Sequence, residues 1–334
     1  MNEGRIMSFA NATPYMALDV PMQDHEGREF VVAIVKASFA VTASGKLAPA
    51  EPVSIRLNDA LWYPDAIESS LKLPSDLCIE KQGTDVVVVG HAISAHPVEV
   101  MDVAVKVGGV VVPLRVHGQR MFYRSMMGVS IGPAAPFERM PVVYERAWGG
   151  ASDDLWIVES RNPAGRGVAR KPKDLVDTPA PQIEHPALPH TSADDEHPPV
   201  GFGAIRSHWS PRKEYVGTFD EVWERTRSPM LPADFDVRFN NVAHPSLRFE
   251  APLLAGEAIA VLGMSPEGLV QFEIPEIAVR IVGRSDLSGR VEARPTVDTV
   301  LILPEEGRVE LTLRKAFRLG RGRDVLRELR VEQA

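Results

Sequence analysis

Residues 98–116 read VEVMDVAVKV-GG-VVVPLRV, two valine-rich runs that meet at Gly108-Gly109. Alternating β-branched residues on either side of a Gly-Gly pair are a strong short-range signal for a β-hairpin. Within the first run the valine spacing slips by one, from Val98 and Val100 to Val103, Val105 and Val107. That slip predicts a β-bulge near Met101-Asp102. Pro113 removes a ladder donor and places the return strand at an edge or a bulge.

The same chemistry recurs around this hairpin. Residues 30–39 (FVVAIVKASF) and 85–94 (DVVVVGHAIS) are β-branched and nearly all apolar, as strands buried on both faces would be. After Leu253 come further strand patterns at 257–262, 269–274, 277–282, 290–294, 297–303 and 308–317. The last two flank a turn at Pro304-Glu305-Glu306-Gly307. Between these stretches, residues 160–200 hold eight prolines and no periodic run, and are expected to wander over the surface. One helix is predicted, with Thr218 as N-cap, Glu221 completing a capping box, and Pro229 as the stop. The expected fold is mainly β: two β-sheet halves, sandwich- or barrel-like, joined by a long Pro-rich segment, with little helix. As domains this gives an N-terminal β half (1–150), the irregular excursion (151–216), and a short helix with a C-terminal β half (217–334). All three are compatible with a single family domain.

Composition narrows the function. The 334 residues carry a net charge of −8, which argues against a chain-wide nucleic-acid surface. A single cysteine, Cys78, excludes an internal disulfide framework and multi-cysteine metal sites. The N-terminal stretch has no long apolar core, and the longest apolar run is interrupted by Lys36 and too short for a bilayer. A cytoplasmic protein without membrane association is the expectation.

No catalytic constellation emerges. Cys78 has no basic neighbour closer than Lys81 and reads as a small structural side chain. His185, His190, His197 and His208 lie near Asp194, Asp195 and Glu196, but their spacing matches no compact ligand motif, so no metal is expected. There is no G-x-S-x-G, and the G-x-G fragments at Gly201 and Gly320 lack a strand–helix context. No cofactor is expected. Asp76, Asp85, Glu145 and Asp298 are nominal candidates for a glycosidase-type carboxylate pair, the alternative to a non-enzymatic role. The segment 308–330 carries eight basic residues against three acids, readable as a docking patch for an acidic partner or as a solvated strand face and tail. The clusters around Trp148 and around Trp209 with Arg212 combine residue types favoured at interfaces, and are equally at home inside a fold.

These residues carry a resemblance. Asn11-Ala12-Thr13-Pro14-Tyr15, Lys36-Ala37-Ser38-Phe39, Pro74-Ser75-Asp76-Leu77 and Lys81-Gln82-Gly83-Thr84-Asp85 are followed by Tyr144-Glu145-Arg146-Ala147-Trp148-Gly149-Gly150 and Asn162-Pro163-Ala164-Gly165-Arg166-Gly167. Later come Trp209 with Arg212, Gly217-Thr218-Phe219-Asp220 with Trp223, Leu231-Pro232-Ala233-Asp234-Phe235 and Asp298-Thr299. In this order the blocks resemble the bacterial domain-of-unknown-function family 2169, linked to type VI secretion. The chain departs from the family pattern at Ala243-His244-Pro245-Ser246-Leu247 and at Thr312, where a tryptophan is expected. The resemblance implies an adaptor or chaperone, not an enzyme. Such a protein binds a secreted toxic effector or a spike-tip protein in the cytoplasm, stabilises it and helps load it onto the spike. Trp148, Trp209 and Arg212 are the expected partner-binding residues, on the argument that they stand exposed.

Overall fold

Strand Glu29–Val41 is the spine of the molecule. In the computed structural model, which describes residues 8–64, 69–319 and 325–334, its two faces have different fates. Odd positions Val31, Ala33 and Val35 pack on Val279, Ile281, Leu329 and Val331. Ala37 and Phe39 join the largest cluster, with Val103, Val105, Ile259 and Val261. Even positions Val32 and Ile34 pack against Ile55, Leu77 and Ile79. Each such side chain contributes roughly 1.5–3 kcal/mol by leaving water, so this strand alone anchors three layers.

The spine belongs to a seven-stranded sheet ordered Arg248–Phe249, Thr84–Val88, Val297–Leu303, Arg308–Arg318, Glu29–Val41, Met16–Gln23, with Leu47–Pro49 also paired to the spine. Thr84–Val88 and Val297–Leu303 run parallel. A five-stranded sheet follows the order Ile183–Glu184, Val110–His117, Val100–Val107, Ala258–Leu262, Leu269–Glu273. A four-stranded sheet has the order Ser8–Asn11, Leu326–Gln333, Val279–Ser285, Gly289–Ala293. The fold is mainly β, and no sheet closes into a barrel among the described residues. The sheets take strands from both ends of the sequence: the spine pairs with Arg308–Arg318, and Val100–Val107 with Ala258–Leu262.

Several local expectations are corrected. The valine slip marks a strand boundary, not a bulge: His91–Val98 ends, Val100–Val107 begins, and the latter keeps unbroken register with Val110–His117. Pro113 does sit beyond the two residues, Arg115 and Val116, that pair outward to Ile183–Glu184. The run 85–94 is two strands, Thr84–Val88 and His91–Val98. The N-cap of helix Glu221–Thr226 is Asp220, whose side chain accepts from the Trp223 N–H at 2.8 Å. Thr218 instead donates its hydroxyl to Asp234 at 2.8 Å. A second helix, Arg212–Tyr215, follows Pro211 and forms without a side-chain cap. The Pro-rich segment is irregular but does not stay on the surface: Ala180, Gln182 and Ile183 are buried, and Ile183–Glu184 forms a sheet edge.

Val297–Leu303 and Arg308–Arg318 occur as expected, joined through Gly307 in left-handed backbone. Gly83 answers a steric demand, since a Cβ there would lie 1.9 Å from the Phe249 carbonyl oxygen. Residues 1–7 and the Gly320-Arg321-Gly322 fragment with Arg323 lie outside the described residues.

Candidate functional site

The strand registers align a polar row across the seven-stranded sheet. Lys36 pairs with Thr312, Thr312 with Thr299, Thr299 with Asp85, and Asp85 with Arg248. Lys36 is fully buried and ion-paired to Asp76, with Glu310 at 3.5 Å and Arg56 in turn 2.7 Å from Glu310. Burial pulls the Lys36 ammonium below its ordinary range, against the attraction of Asp76. Lys81 reaches Asp85 and the Thr299 hydroxyl, each at 2.8 Å. Asp85 also accepts from the Asn241 side chain at 3.0 Å and the Val242 N–H at 2.7 Å.

At one end of this row Arg314 pairs with Asp298 and donates to the Asp76 carbonyl at 2.8 Å. Burial would lower its pKa, yet the groups around it, Asp298 foremost with Asp76 adding, together hold it above the ordinary range. Cys78 touches the same guanidinium. Desolvation pushes the Cys78 thiol up, so it stays protonated and a poor nucleophile. Beside it opens a cleft of about 820 Å³, walled by Met22, Phe30, Leu77, Cys78, Phe235 and Arg314.

The four candidate carboxylates are all buried and all engaged. Asp76 and Asp298 hold Lys36 and Arg314, and Asp85 holds Lys81. Glu145 accepts from Ser70 twice, through N–H at 2.7 Å and hydroxyl at 2.8 Å. Each is therefore ion-paired or hydrogen-bonded within the fold, and Asp298 also lines the cleft.

Two of the three expected contact residues are not at the surface. Trp209 is 0% and Trp148 7% exposed, so neither indole can serve as a surface anchor. Trp209 packs edge-on against Tyr144, and Trp148 stacks with His190. Arg212 is half-buried, donates to the Phe239 and Ile205 carbonyls, and lies over the Phe239 ring. Asn162 donates to the Tyr144 and Trp148 carbonyls, which ties the two glycine-rich blocks together.

The histidine-rich stretch centres on a carboxylate. Glu184 accepts from His117 at 2.7 Å and from Arg120 at 2.7 Å, and lies 3.4 Å from His190 Nδ1. Burial opposes its ionisation, but these donors hold the carboxyl far below its usual range. His190 and His197 meet edge to face, and His208 packs on Trp209. Among the described residues no three potential ligands converge on a metal position. Among the described residues of the basic segment, Arg308, Arg314, Arg327 and Arg330 face carboxylates, and Lys315 and Arg318 are exposed.

What sequence reasoning missed is an outward-facing apolar pair of loops. Residues 152–157 form a turn in which Ser152 donates to Asp154 and accepts from the Ile157 N–H, while Leu155 N–H reaches the Ser152 carbonyl. The turn holds Leu155 (71%), Trp156 (79%), Ile157 (45%) and Val158 (44%) in solvent. Leu155 adopts left-handed backbone (φ 57), a conformation costing a non-glycine residue about 1–2 kcal/mol. Arg170 pairs with Asp154 and lies over the Trp156 ring. Its neighbour Ala169 packs under hairpin Phe122–Ser125/Gly128–Ile131, whose tip carries fully exposed Met126 and Met127. The signal was there in four consecutive apolar residues inside a stretch with no strand pattern.

The family model described as an uncharacterized protein conserved in bacteria, DUF2169, matches residues 26–314. The chain belongs to this family. No curated protein and no solved structure matches it. The DUF2169 span takes in the polar row, most of the cleft's walls, both exposed loops and every family block except Asn11–Tyr15. No helix among the described residues is long and apolar enough to cross a membrane.

Proposed function

We propose that this DUF2169 protein is a stoichiometric, non-enzymatic adaptor or chaperone of type VI secretion. It binds a toxic effector in the producing cell, stabilises it, and helps load it onto the secreted spike. The secretion system comes from the family resemblance. The observation that carries a binding role is the outward display of residues 155–158, held by a hydrogen-bonded turn and a strained Leu155. Exposed large apolar side chains in a soluble fold mark contact sites, and a pre-ordered loop loses little entropy on binding. Met126 and Met127 add unbranched, adaptable side chains suited to varied apolar client surfaces.

The test is co-expression with the effector and spike proteins encoded beside the gene, followed by size-exclusion chromatography with light scattering. A defined complex, with an effector soluble only in its presence, supports the reading. The reading falls if the protein elutes alone and every such effector is soluble without it.

A further inference from the structure

Strand Arg308–Arg318 outruns one of its two neighbours. The spine pairs with it as far as Arg318, opposite Phe30, whereas Val297–Leu303 reaches only Leu313. Pro295, just before Val297, has no N–H to extend the ladder, and the chain arrives there from Gly289–Ala293 in the four-stranded sheet. The hydrogen bonds at the two ends of Arg308–Arg318 define which groups face its open side. The Gly307 carbonyl accepts from the Val41 N–H at 2.7 Å, and the Leu319 N–H donates to the Glu29 carbonyl at 2.8 Å. Odd positions therefore bond to the spine, and the N–H and C=O of Ala316 and Arg318 point the other way. Neither residue has a backbone partner on that side among the described residues. Ala316 lies in the wall of the 820 Å³ cleft, so its open side has room beside it.

Two different surfaces flank this edge. The Ala316 side chain stands on the face with Val32, Leu77 and Ile79, where Met22 and Phe30 continue the apolar wall. Lys315 stands on the opposite face, exposed, and Arg294 is exposed in the same cleft. Neither cation has a carboxylate partner among the described residues, whereas Asp24 and Asp298 in these walls are paired with Arg28 and Arg314. The remaining carboxylate of the walls, Glu80, acts on Arg28. A chain laid along the edge sends successive side chains to opposite faces. One set meets the apolar wall, and the alternate set meets Lys315. Unpaired backbone groups call for another backbone, and the unpaired cations call for carboxylates on it.

We propose that this edge is a strand-addition site for an extended peptide in which apolar and acidic residues alternate. It shares no residue with the exposed loops at 126–127 and 155–158, and stands whether or not the adaptor reading does. The probe is a fluorescent hexapeptide of alternating valine and glutamate, titrated into the full chain and followed by anisotropy. It is expected to bind, and its valine–lysine counterpart is not. Methylating alternate peptide nitrogens should abolish binding in one phase and be tolerated in the other, because only alternate N–H groups face the protein. The sensitive phase is the valines for an antiparallel strand and the glutamates for a parallel one. Lys315→Glu, at an exposed position, should weaken binding on the order of tenfold with unchanged circular dichroism, by placing like charges together. No binding at millimolar peptide overturns the proposal. So does equal binding of the valine–lysine peptide, indifference to the phase of methylation, or indifference to Lys315→Glu.

Discussion

Glu145 and Ser70 are joined by two hydrogen bonds, one from the Ser70 N–H at 2.7 Å and one from its hydroxyl at 2.8 Å. Both residues are buried, so the carboxylate satisfies the Ser70 N–H and hydroxyl away from water. The pair also fastens the family block around Trp148 to the strand Leu71–Leu73 that follows Ser70.

Glu145→Ala strips Ser70 of both acceptors. An unsatisfied buried donor costs about 1–3 kcal/mol, so urea unfolding should show a loss in or above that range. Glu145→Gln keeps one carbonyl oxygen for the N–H and should lose about half as much. Equal, negligible losses for the two variants would mean that water replaces the carboxylate freely.

Lys36 offers a harsher test. Its ammonium is wholly enclosed, with Asp76, Glu310 and Arg56 arranged around it. Lys36→Met leaves two carboxylates facing one guanidinium inside the fold. Removing one member of a buried ionic cluster costs roughly 3–5 kcal/mol. Lys36→Met/Asp76→Asn restores neutrality and should be distinctly more stable than Lys36→Met alone, measured as a double-mutant cycle. Additive losses would show that the charges act independently.

Local pattern explains which parts of this molecule could be read in advance. Val297–Leu303 and its partner strand were legible because alternation, a turn and Gly307 are all neighbours in sequence. Lys36 was not, because it looks like an interruption in an apolar run until Asp76 and Glu310 arrive from distant segments. Thr218 misled because its capping role is a competition, which Asp220 wins once Asp234 takes the hydroxyl. Trp148 and Trp209 have the composition of an interface and the location of a core, and only packing distinguishes the two. Residues 155–158 went unread because four adjacent apolar residues in an irregular stretch have no periodicity to interpret.

Trp156→Asp, and separately Met126→Asp/Met127→Asp, replace side chains that stand largely in solvent. Their stability should stay within about 0.5 kcal/mol of wild type, as for surface positions generally. On the adaptor reading, both variants should release the effector in co-purification, with Trp156→Asp the more damaging because it removes a large ring from a rigid loop. Retention of the effector by all of them would move the binding face elsewhere on the protein.

His244 gives the chain a pH dependence of definite sign. Burial lowers its pKa to about 4, and its Nδ1 accepts from the Ser246 N–H as the N-cap of helix Pro245–Leu247. An accepting Nδ1 must be unprotonated, which leaves Nε2–H to donate toward the Pro199 carbonyl. The unfolded chain, with an ordinary histidine pKa near 6.5, binds this proton more readily than the folded one. The contribution is therefore complete above pH 6.5 and is lost as pH falls toward 4, amounting to at most about 3 kcal/mol. His244→Asn keeps a capping acceptor and removes the titration, so its stability should be flatter than wild type between pH 6.5 and 4. Urea midpoints measured across that window decide the matter, since the carboxylates titrate alike in both proteins and cancel in the difference. Parallel curves would mean that the ring opens to solvent and takes its proton without leaving the cap.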